Sequence, residues 1–345
     1  MTSMNNVRFP AEWEKECAVL VSMPHSGTDW AYMLDEVTGC YVNLIKAFAS
    51  KGLTTIVVAP ETKIVRPLLA DIDQSKIIYF DVETNDTWTR DFGPLTVEKD
   101  GCMRVQDFKF NGWGLKFAAC FDNLVTMKMC SAKLITASRD NRLGFVLEGG
   151  SVESDGNGTI LTTASCLQSP NPNGDLTRKE IEERLHEWLG AERVLWLEHG
   201  ALEGDDTDSH IDTLARIAPY DTIIYTGCQD KNDSHYAELN AMKEELHHLT
   251  TSRGTKFNLV ELPLPSPVYD EDGNRLPATY ANYLVTPEAV FMPSYNQPLN
   301  DMTARGILAA VFERDVVTVD CTPLIKQHGS LHCATMQIPK EAICL

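Results

Sequence analysis

Short runs of apolar and β-branched residues alternate along the chain with longer stretches in which apolar residues recur every three or four positions. The short runs predict strands and the amphipathic stretches predict helices. Strands are predicted at residues 18–23, 54–59, 77–80, 194–197, 222–225, 258–262, 289–292 and 316–319. Helices are predicted at residues 34–50, 178–189, 236–252 and 301–313. The second helix has a capping box of Thr177 and Glu180 and a stop at Gly190. This alternation predicts an α/β fold.

The 345-residue chain has no linker rich in Pro, Gly or Ser, no low-complexity block and no long run of like charges. A single domain spanning residues 1–345 is therefore expected. No apolar stretch is long enough for a transmembrane helix, and the first residues lack the basic-then-apolar pattern of a signal peptide. The ten cysteines include no C-x-x-C pair, which favours reduced thiols. Together these features predict a cytoplasmic protein.

The formal net charge is −19 and the sequence pI is about 4.8. Such a surface argues against nucleic acids and anionic membranes as partners, and it is compatible with a cationic substrate. An ordinary acidic surface is the commoner explanation of this pI, so the charge alone selects no function.

Three separated motifs carry the candidate chemistry. Cys333 lies in a short turn after an apolar run, and a nucleophilic cysteine needs a histidine to move protons. His210 and Asp212 alternate in sequence, which on a strand would place both side chains on one face. Asp91 stands in a third motif, at residues 88–94. Carboxylates bind the planar N–H groups of a guanidinium in pairs, so the three motifs together indicate chemistry on a guanidino group.

Motifs of this kind extend over nearly the whole chain. They are MPH at 23–25, DW at 29–30, WTRDFGP at 88–94, FNGWG at 110–114, LEGGS at 147–151, DTDSHID at 206–212, PSYN at 293–296 and LHC at 331–333. In identity and order they resemble the agmatine deiminase and bacterial peptidylarginine deiminase family of guanidine-modifying enzymes. The resemblance implies a pentein fold, a five-bladed β/α propeller with a central active site. No sequence repeat supports that fold, and the hydrophobic pattern alone favours a doubly wound α/β sheet.

In enzymes of this family a cysteine attacks the guanidinium carbon, ammonia leaves, and water hydrolyses the S-alkylthiouronium to a ureido product. The resemblance makes Cys333 the nucleophile and His210 the general acid/base. It assigns guanidinium binding to Asp91 and Asp212, and it places Glu148 beside the catalytic histidine. The intact set argues against a non-catalytic guanidine-binding protein. The two aspartates also disfavour a cysteine hydrolase of another fold.

Substrate choice depends on the residues around this set. Trp88 and Trp113 are candidates to line the substrate channel, with core packing an equal alternative for Trp88 and the stronger one for Trp113. The loop at 203–208 is rich in carboxylates, and Asp206 is the candidate partner for the ammonium group of agmatine. Hydrolysis of agmatine to N-carbamoylputrescine and ammonia is therefore predicted. Peptidylarginine and free arginine, which would give citrulline, are the alternatives.

No metal or organic cofactor is expected, because the sequence has no H-E-x-x-H pattern and no nucleotide-binding glycine motif. Cys166, at the edge of a turn, is expected to be structural, as most cysteines are. The glycine run that often precedes the nucleophile in the family is interrupted here as HGSL at 328–331, which leaves the conformation of this segment open. Relatives are commonly dimers, so a homodimer is expected.

Overall fold

The structure is a computed structural model that describes residues 6–169 and 173–344. The sequence analysis predicts no signal peptide from the first residues of the chain. Most of those residues lie outside the described ranges. None of the helices in the described ranges combines the length and apolar character that a membrane crossing requires.

Seventeen strands form five separate sheets within the described part of the chain. The strands are β1 (Val7–Arg8), β2 (Cys17–Ser22), β3 (Thr54–Ala59), β4 (Ile77–Asp81), β5 (Leu95–Lys99), β6 (Cys102–Lys109), β7 (Ser138–Val146), β8 (Glu153–Ser154), β9 (Thr159–Thr163), β10 (Arg193–Leu197), β11 (Ala215–Ala218), β12 (Thr222–Gly227), β13 (Asn258–Pro263), β14 (Leu284–Val285), β15 (Val290–Ser294), β16 (Val316–Asp320) and β17 (Met336–Pro339). The sheet orders are β1-β5-β6-β7, β10-β9-β8, β11-β12-β13, β14-β15-β16 and β17-β2-β3-β4.

Each sheet contains a parallel pair of strands that is joined by one long helix, as a parallel pair requires. These helices are α1 (Leu34–Ser50), α2 (Asp122–Ser131), α3 (Arg178–Leu189), α4 (Tyr236–His248) and α5 (Pro298–Phe312). Each sheet also contains at least one antiparallel pair. The fold is therefore mixed α/β, with one strand-helix-strand unit in each sheet.

Short helical turns fill many of the connections between these elements. They lie at Asp29–Met33, Thr62–Val65, Arg66–Leu69, Gln74–Lys76, Thr89–Phe92, Gly112–Leu115, Gly149–Ser151, Ala164–Leu167, Ile211–Thr213, Thr322–Ile325 and Lys340–Ala342.

All the strands predicted from the hydrophobic pattern are confirmed, with ends that shift by one or two residues. Helices α1 and α3 have their predicted bounds, and Thr177 and Glu180 form the predicted capping box, with Gly190 in the left-handed conformation at the C-terminus. Helix α4 ends earlier than predicted because Leu249 is extended and Thr250 pairs with Lys256. The five separate sheets contradict the doubly wound sheet that the hydrophobic pattern alone favours.

Topology brings distant parts of the sequence to one place. The last strand, β17, pairs antiparallel with β2, so the turn that precedes β17 returns to the N-terminal part of the molecule. The backbone N–H of Arg90 donates to the carbonyl of Cys333 at 3.1 Å. The short turn at Gly149–Ser151 contacts the turns at Thr89–Phe92 and Ile211–Thr213. Four chain segments that carry predicted site residues therefore converge.

Candidate active site

Cys333 lies in the turn between the helical turn at Thr322–Ile325 and β17, and only 5% of its surface is exposed. Its Sγ is 3.8 Å from Asp212 Oδ2 and 3.2 Å from Asn282 Nδ2. Burial, Asp212 and Asp91 raise the pKa of this thiol well above its ordinary value. The raised pKa favours the neutral thiol in the free protein.

Asn282 is a site residue that the sequence did not indicate. Its Oδ1 accepts hydrogen bonds from the backbone N–H groups of His332 (2.9 Å) and Cys333 (3.3 Å). Its Nδ2 points at the sulfur, so one fully buried amide fixes both the turn and the thiol. A single asparagine in a loop belongs to no local pattern, and only the tertiary contact reveals it.

His210 is completely buried, and its Nε2 is 2.8 Å from Glu148 Oε2. The predicted pairing of His210 with Glu148 is therefore present in the structure. Burial lowers the pKa of His210, but Asp91, the Cys166 thiol and Glu148 act in the other direction and hold it well above the ordinary value. Its Nδ1 is 3.6 Å from Asp91 Oδ1 and has no hydrogen-bond partner among the described residues. The raised pKa favours the protonated imidazolium form of His210, and its Nδ1 faces Asp91.

The prediction that His210 and Asp212 alternate on a strand is wrong. His210 precedes the helical turn Ile211–Thr213, and strand β11 begins only at Ala215. The carbonyl of His210 accepts hydrogen bonds from the side chain and the backbone of Thr213, which closes a turn in place of a strand. The turn nevertheless places His210 near Asp91 and Asp212 near Cys333.

Asp91 and Asp212 are both buried and receive different partners. Asp91 Oδ2 accepts from Trp113 Nε1 at 3.0 Å, and its Oδ1 accepts from the Gly150 N–H at 3.1 Å. Burial raises the pKa of Asp91 to about 7. Burial also acts to raise the pKa of Asp212, but the hydrogen bond from His332 outweighs it and the pKa is lowered. Asp212 Oδ1 has no hydrogen-bond partner within the described part of the chain.

Gly150 marks the point at which these groups converge. A Cβ atom at this position would lie 2.6 Å from His210 Nδ1, 3.0 Å from Asp91 Oδ1 and 3.1 Å from Asp212 Oδ2. The backbone of Gly150 does not adopt a positive φ, so its glycine is required by space and not by conformation. Two carboxylate oxygens and an unpartnered imidazole nitrogen therefore surround one small region, an arrangement suited to a planar cation.

A buried ionic network lies behind the two carboxylates. His332 Nδ1 is 2.8 Å from Asp212 Oδ2, and its Nε2 is 2.7 Å from Glu12 Oε1. Glu12 also pairs with Arg90 and Arg216, each at 2.9 Å. Arg216 and Arg90 are almost completely buried, so they compensate charge from behind the site and cannot approach a substrate.

A cavity of about 330 Å³ leads to Cys333 and Asp91. It is lined by Asp29, Tyr32, Asp86, Trp88, Asp91, Trp113, Phe117, Asp206, Thr207, Lys326, Gln327, His328, Gly329 and Cys333. The structure thus brings the predicted lining residues Trp88, Trp113 and Asp206 to one cavity. Trp88 also packs against Trp30, with 5.7 Å between the ring centroids. Trp88 therefore both lines the cavity and packs in the core.

The wall of the cavity is acidic, but its carboxylates differ. Asp206 has 40% of its side chain exposed and lies 3.6 Å from His328 Nε2. Asp86 is only 6% exposed and forms no ion pair with a lysine or arginine among the described residues. Burial raises the pKa of Asp86 to about 7. Sequence reasoning missed Asp86, although it stands two residues before Trp88.

Two residues that line the cavity have a strained backbone. Trp113 and His328 have φ of 51° and 68°, a region that side chains other than glycine rarely adopt. His328 takes this conformation where the family's glycine run is interrupted, so the interruption is accommodated without glycine. Gly329 must stay small, because a Cβ there would lie 2.3 Å from the Trp88 ring. Strained backbone of this kind clusters at functional sites.

Comparison with known proteins gives this geometry a family. Residues 8–339 match the family model described as Porphyromonas-type peptidyl-arginine deiminase. A curated relative from Photobacterium profundum, named "Putative agmatine deiminase", is 33% identical over 361 residues and 96% of each chain. The solved structure of a C. jejuni agmatine deiminase with substrate bound is 35% identical over 97% of this chain and 96% of that one, with a TM-score of 0.90.

Two further structures extend the comparison. A Porphyromonas gingivalis structure named "Putative Arginine Deiminase" is 47% identical over 98% of this chain and all of that one, with a TM-score of 0.93. A dimethylarginine dimethylaminohydrolase, at 13% identity and a TM-score of 0.52, shares the fold alone.

The fold and the site together define the class of guanidine-modifying enzymes, in which a thiol, an imidazole and two carboxylates meet at the end of a cavity. Within that class the chain belongs to the Porphyromonas-type peptidyl-arginine deiminase family, which also contains proteins named agmatine deiminase. The family expected from the sequence motifs is therefore confirmed.

Proposed function

We propose that this protein hydrolyses agmatine to N-carbamoylputrescine and ammonia through a covalent intermediate on Cys333. The observation that carries the proposal is the convergence of His210 Nδ1, Asp91 Oδ1 and Asp212 Oδ2 around Gly150, with the Cys333 sulfur 3.8 Å from Asp212. The carboxylates give this region a charge that suits a guanidinium, and the names of the relatives support the same substrate class.

Binding comes first in the proposed reaction. Asp91 and Asp212 accept hydrogen bonds from the guanidinium, and the Asp212 oxygen that lacks a partner becomes satisfied. The cation also offsets the repulsion between the two carboxylates and the Cys333 thiolate. The pKa of Cys333, raised in the free protein, therefore falls when substrate binds, and the thiolate forms only beside its target.

The covalent step forms a bond from Cys333 Sγ to the guanidinium carbon and breaks the bond from that carbon to an unsubstituted nitrogen. His210, protonated because of its raised pKa, donates the proton with which this nitrogen leaves as ammonia. The S-alkylthiouronium remains on Cys333. His210 then takes a proton from water, the oxygen attacks the same carbon, and the C–S bond breaks to release the ureido product and the thiolate. Glu148 orients His210 through its 2.8 Å hydrogen bond.

The acidic wall of the cavity supports agmatine over arginine. Agmatine carries an ammonium at its far end, whereas arginine carries an α-carboxylate there. Lys326 pairs with Glu36, and Lys116 pairs with Asp208, so neither lysine is left as an unpaired clamp for a carboxylate. Asp86 has no lysine or arginine partner among the described residues. Together with Asp206 it offers a carboxylate to the ammonium. The substrate's alkyl chain would contact the rings of Trp88 and Trp113.

Three broader parts of the proposal rest on the family resemblance. We propose that the five sheets are the blades of a five-bladed pentein propeller around this site, and that residues 1–345 form one domain. We also propose a homodimer that takes a small cationic guanidine as its substrate. The pairing of β17 with β2 supports the propeller, because it joins the two ends of the chain in one sheet.

The test is a substrate panel with agmatine, free arginine and a peptide that ends in arginine, with ammonia and ureido product measured. We expect kcat/KM for agmatine to exceed that for arginine by about 100-fold or more, since arginine's carboxylate would face acidic side chains. Citrulline formation from the peptide or from arginine at a rate comparable to agmatine hydrolysis would contradict the proposal. It would support instead the peptidyl-arginine or arginine deiminase activity for which the family model and the Porphyromonas gingivalis structure are named.

The nucleophile is tested separately. Cys333→Ser should abolish turnover without loss of the folded state, because a serine hydroxyl is far less acidic than a thiol. Mass spectrometry of quenched wild-type protein should locate the amidino adduct on Cys333. Cys40→Ser is the matched control, since Cys40 is equally buried but does not line the cavity. An adduct on Cys166, or full activity of Cys333→Ser, would remove Cys333 from the proposal.

A further inference from the structure

We propose that Glu148, Cys166 and His210 form a binding site for a thiophilic divalent cation such as Zn²⁺, and that the bound metal switches the enzyme off. One ligand atom from each of the three residues lies within 4.8 Å of the others, and all three residues are buried. The inhibition rests on the proposed function of His210, whereas the binding of the metal does not.

Cys166 is held in place by the same segment that carries His210. It lies in the helical turn Ala164–Leu167, and its backbone N–H donates to the side chain of Thr163. The hydroxyl of Thr163 donates in turn to the carbonyl of Ser209, at 2.7 Å, the residue directly before His210. The segments that carry the thiol and the imidazole are therefore linked through Thr163 by two hydrogen bonds, of 3.4 and 2.7 Å.

The set of ligands suits zinc. Zn²⁺ binds thiolate, imidazole and carboxylate at about 2.0–2.3 Å in tetrahedral geometry, which puts neighbouring ligand atoms about 3.3–3.8 Å apart. Atoms that already lie within 4.8 Å need only small side-chain movements to reach that spacing. Three protein ligands leave a fourth position for water, and a soft sulfur ligand favours Zn²⁺ over Mg²⁺ or Ca²⁺.

A second cluster in the same molecule shows what a poor cation site looks like. Glu12, Glu153 and His332 also have ligand atoms within 4.8 Å of one another. Arg216 forms ion pairs with both Glu12 and Glu153, and Arg90 pairs with Glu12, so two guanidinium groups already hold the place of a cation. Around His210, by contrast, the groups that raise its pKa include Asp91, Cys166 and Glu148, all of which favour a cation.

Metal binding and catalysis exclude each other at His210. Coordination displaces a proton from His210, uses the freed nitrogen lone pair and draws Glu148 away from its 2.8 Å hydrogen bond. The ring then neither donates a proton to the leaving ammonia nor accepts one from water. Glu148, Cys166 and His210 do not line the cavity, whereas Asp91, 3.6 Å from His210, does. A metal ion must therefore pass buried side chains to enter, and the inhibition should develop slowly.

Cobalt reports the binding directly. Co²⁺ takes the place of Zn²⁺ in such sites, and a cobalt-thiolate bond gives a charge-transfer absorption band. The measurement is made on full-length Cys333→Ser, which removes the nucleophilic thiol as a competing ligand. We expect the band in Cys333→Ser, its loss in Cys333→Ser/Cys166→Ser, and its retention in Cys333→Ser/Cys102→Ser, where the removed thiol is exposed. The absence of the band from Cys333→Ser would overturn the proposal, whether or not agmatine is a substrate.

The functional arm compares zinc inhibition in wild type, Cys166→Ser and Cys102→Ser, each scaled to its own metal-free rate. Loss of one ligand should weaken inhibition by about 10- to 100-fold or more in Cys166→Ser and leave it unchanged in Cys102→Ser. Circular dichroism of each variant checks that it is folded, and Cys166→Ala provides a second substitution if the serine variant unfolds. Equal zinc sensitivity in wild type and in a folded Cys166 variant would show that the metal acts elsewhere, for example on Cys333.

Discussion

Gly150 shows how one missing side chain creates the site. Gly150→Ala adds a methyl group that the backbone tolerates but that lies 2.6 Å from His210 Nδ1, 3.0 Å from Asp91 Oδ1 and 3.1 Å from Asp212 Oδ2. We expect kcat/KM to fall about 100-fold or more, because displacement by about 1 Å has this effect on catalysis. Overpacking should also lower stability, by about 1–3 kcal/mol.

Gly306→Ala is the matched control for this substitution. Gly306 lies within helix α5, and a Cβ there meets no atom within 4 Å. Alanine should stabilise the helix by about 0.5–1 kcal/mol and leave kcat/KM unchanged. Steady-state kinetics and denaturant unfolding of both variants separate a blocked site from a general effect of replacing glycine. Unchanged kinetics of Gly150→Ala would mean that the guanidinium binds elsewhere.

Two carboxylates that line the cavity, Asp86 and Asp206, are the candidate partners of the ammonium. Asp86 is buried and lacks a basic partner among the described residues, whereas Asp206 is partly exposed and faces His328. Asp86→Asn should therefore raise KM for agmatine by about 10- to 100-fold, the value of a charge-assisted hydrogen bond, and Asp206→Asn should raise it less. Measured KM values for agmatine and arginine check this, and arginine should respond weakly to either change. The reverse order of effects would return the assignment to Asp206.

At the scale of elements, the N-terminal segment between β1 and β2 supports the site from behind. Glu12, in this segment, contacts Arg90, Arg216 and His332, and His332 holds Asp212. Glu12→Gln leaves two buried guanidinium groups without their shared carboxylate and should lower the free energy of unfolding by about 3–5 kcal/mol. It should also raise KM for agmatine, because Asp212 loses its fixed orientation.

Glu14→Gln is the control in the same segment. Glu14 pairs with Arg8 at 2.6 Å, but both side chains are partly exposed to water. The loss of such a pair should lower stability by less than about 1 kcal/mol and leave KM unchanged. Urea unfolding and agmatine kinetics of the two variants provide the comparison. Similar small effects from both would mean that the buried network does not support Asp212.

The predictability of each element follows from its environment. Strands such as β2 and β3 are buried along their whole length, so continuous apolar runs predict them from sequence. Strand β7 is largely exposed or half-buried, and its sequence SRDNRLGFV contains no apolar run, so it was missed. Strands β8 and β14 have two residues each and carry no periodicity. The motif residues could be predicted because their thiol, imidazole and carboxylate side chains stand in recognisable motifs. Asn282 and Asp86 stand in no such motif, and only tertiary contacts show that they belong to the site.

At the scale of the whole molecule, the fold buries several acidic groups close to one another around the site. Asp86 is faced by Asp29 from the turn Asp29–Met33 and by Asp122 from helix α2. Burial raises the pKa of both Asp86 and Asp122 to about 7. A carboxyl with a raised pKa in the folded state adds stability below its unfolded pKa of 3.8, and that stability is lost as pH rises through about 7.

A cationic ligand should therefore protect the protein more at higher pH. Between pH 6 and pH 8 Asp86 changes from mostly protonated to mostly ionised, which should strengthen agmatine binding about tenfold, or about 1.4 kcal/mol. The measurement is the rise in Tm with saturating agmatine in Cys333→Ser, where no substrate is consumed. We expect this rise to grow with pH through about 7, and Cys333→Ser/Asp86→Asn to lose part of the growth, because burial also raises the pKa of Asp91 to about 7 and its ionisation favours the cation too. A rise in Tm that stays constant with pH, or that persists unchanged without the Asp86 carboxylate, would show that the ammonium of agmatine is bound by other groups.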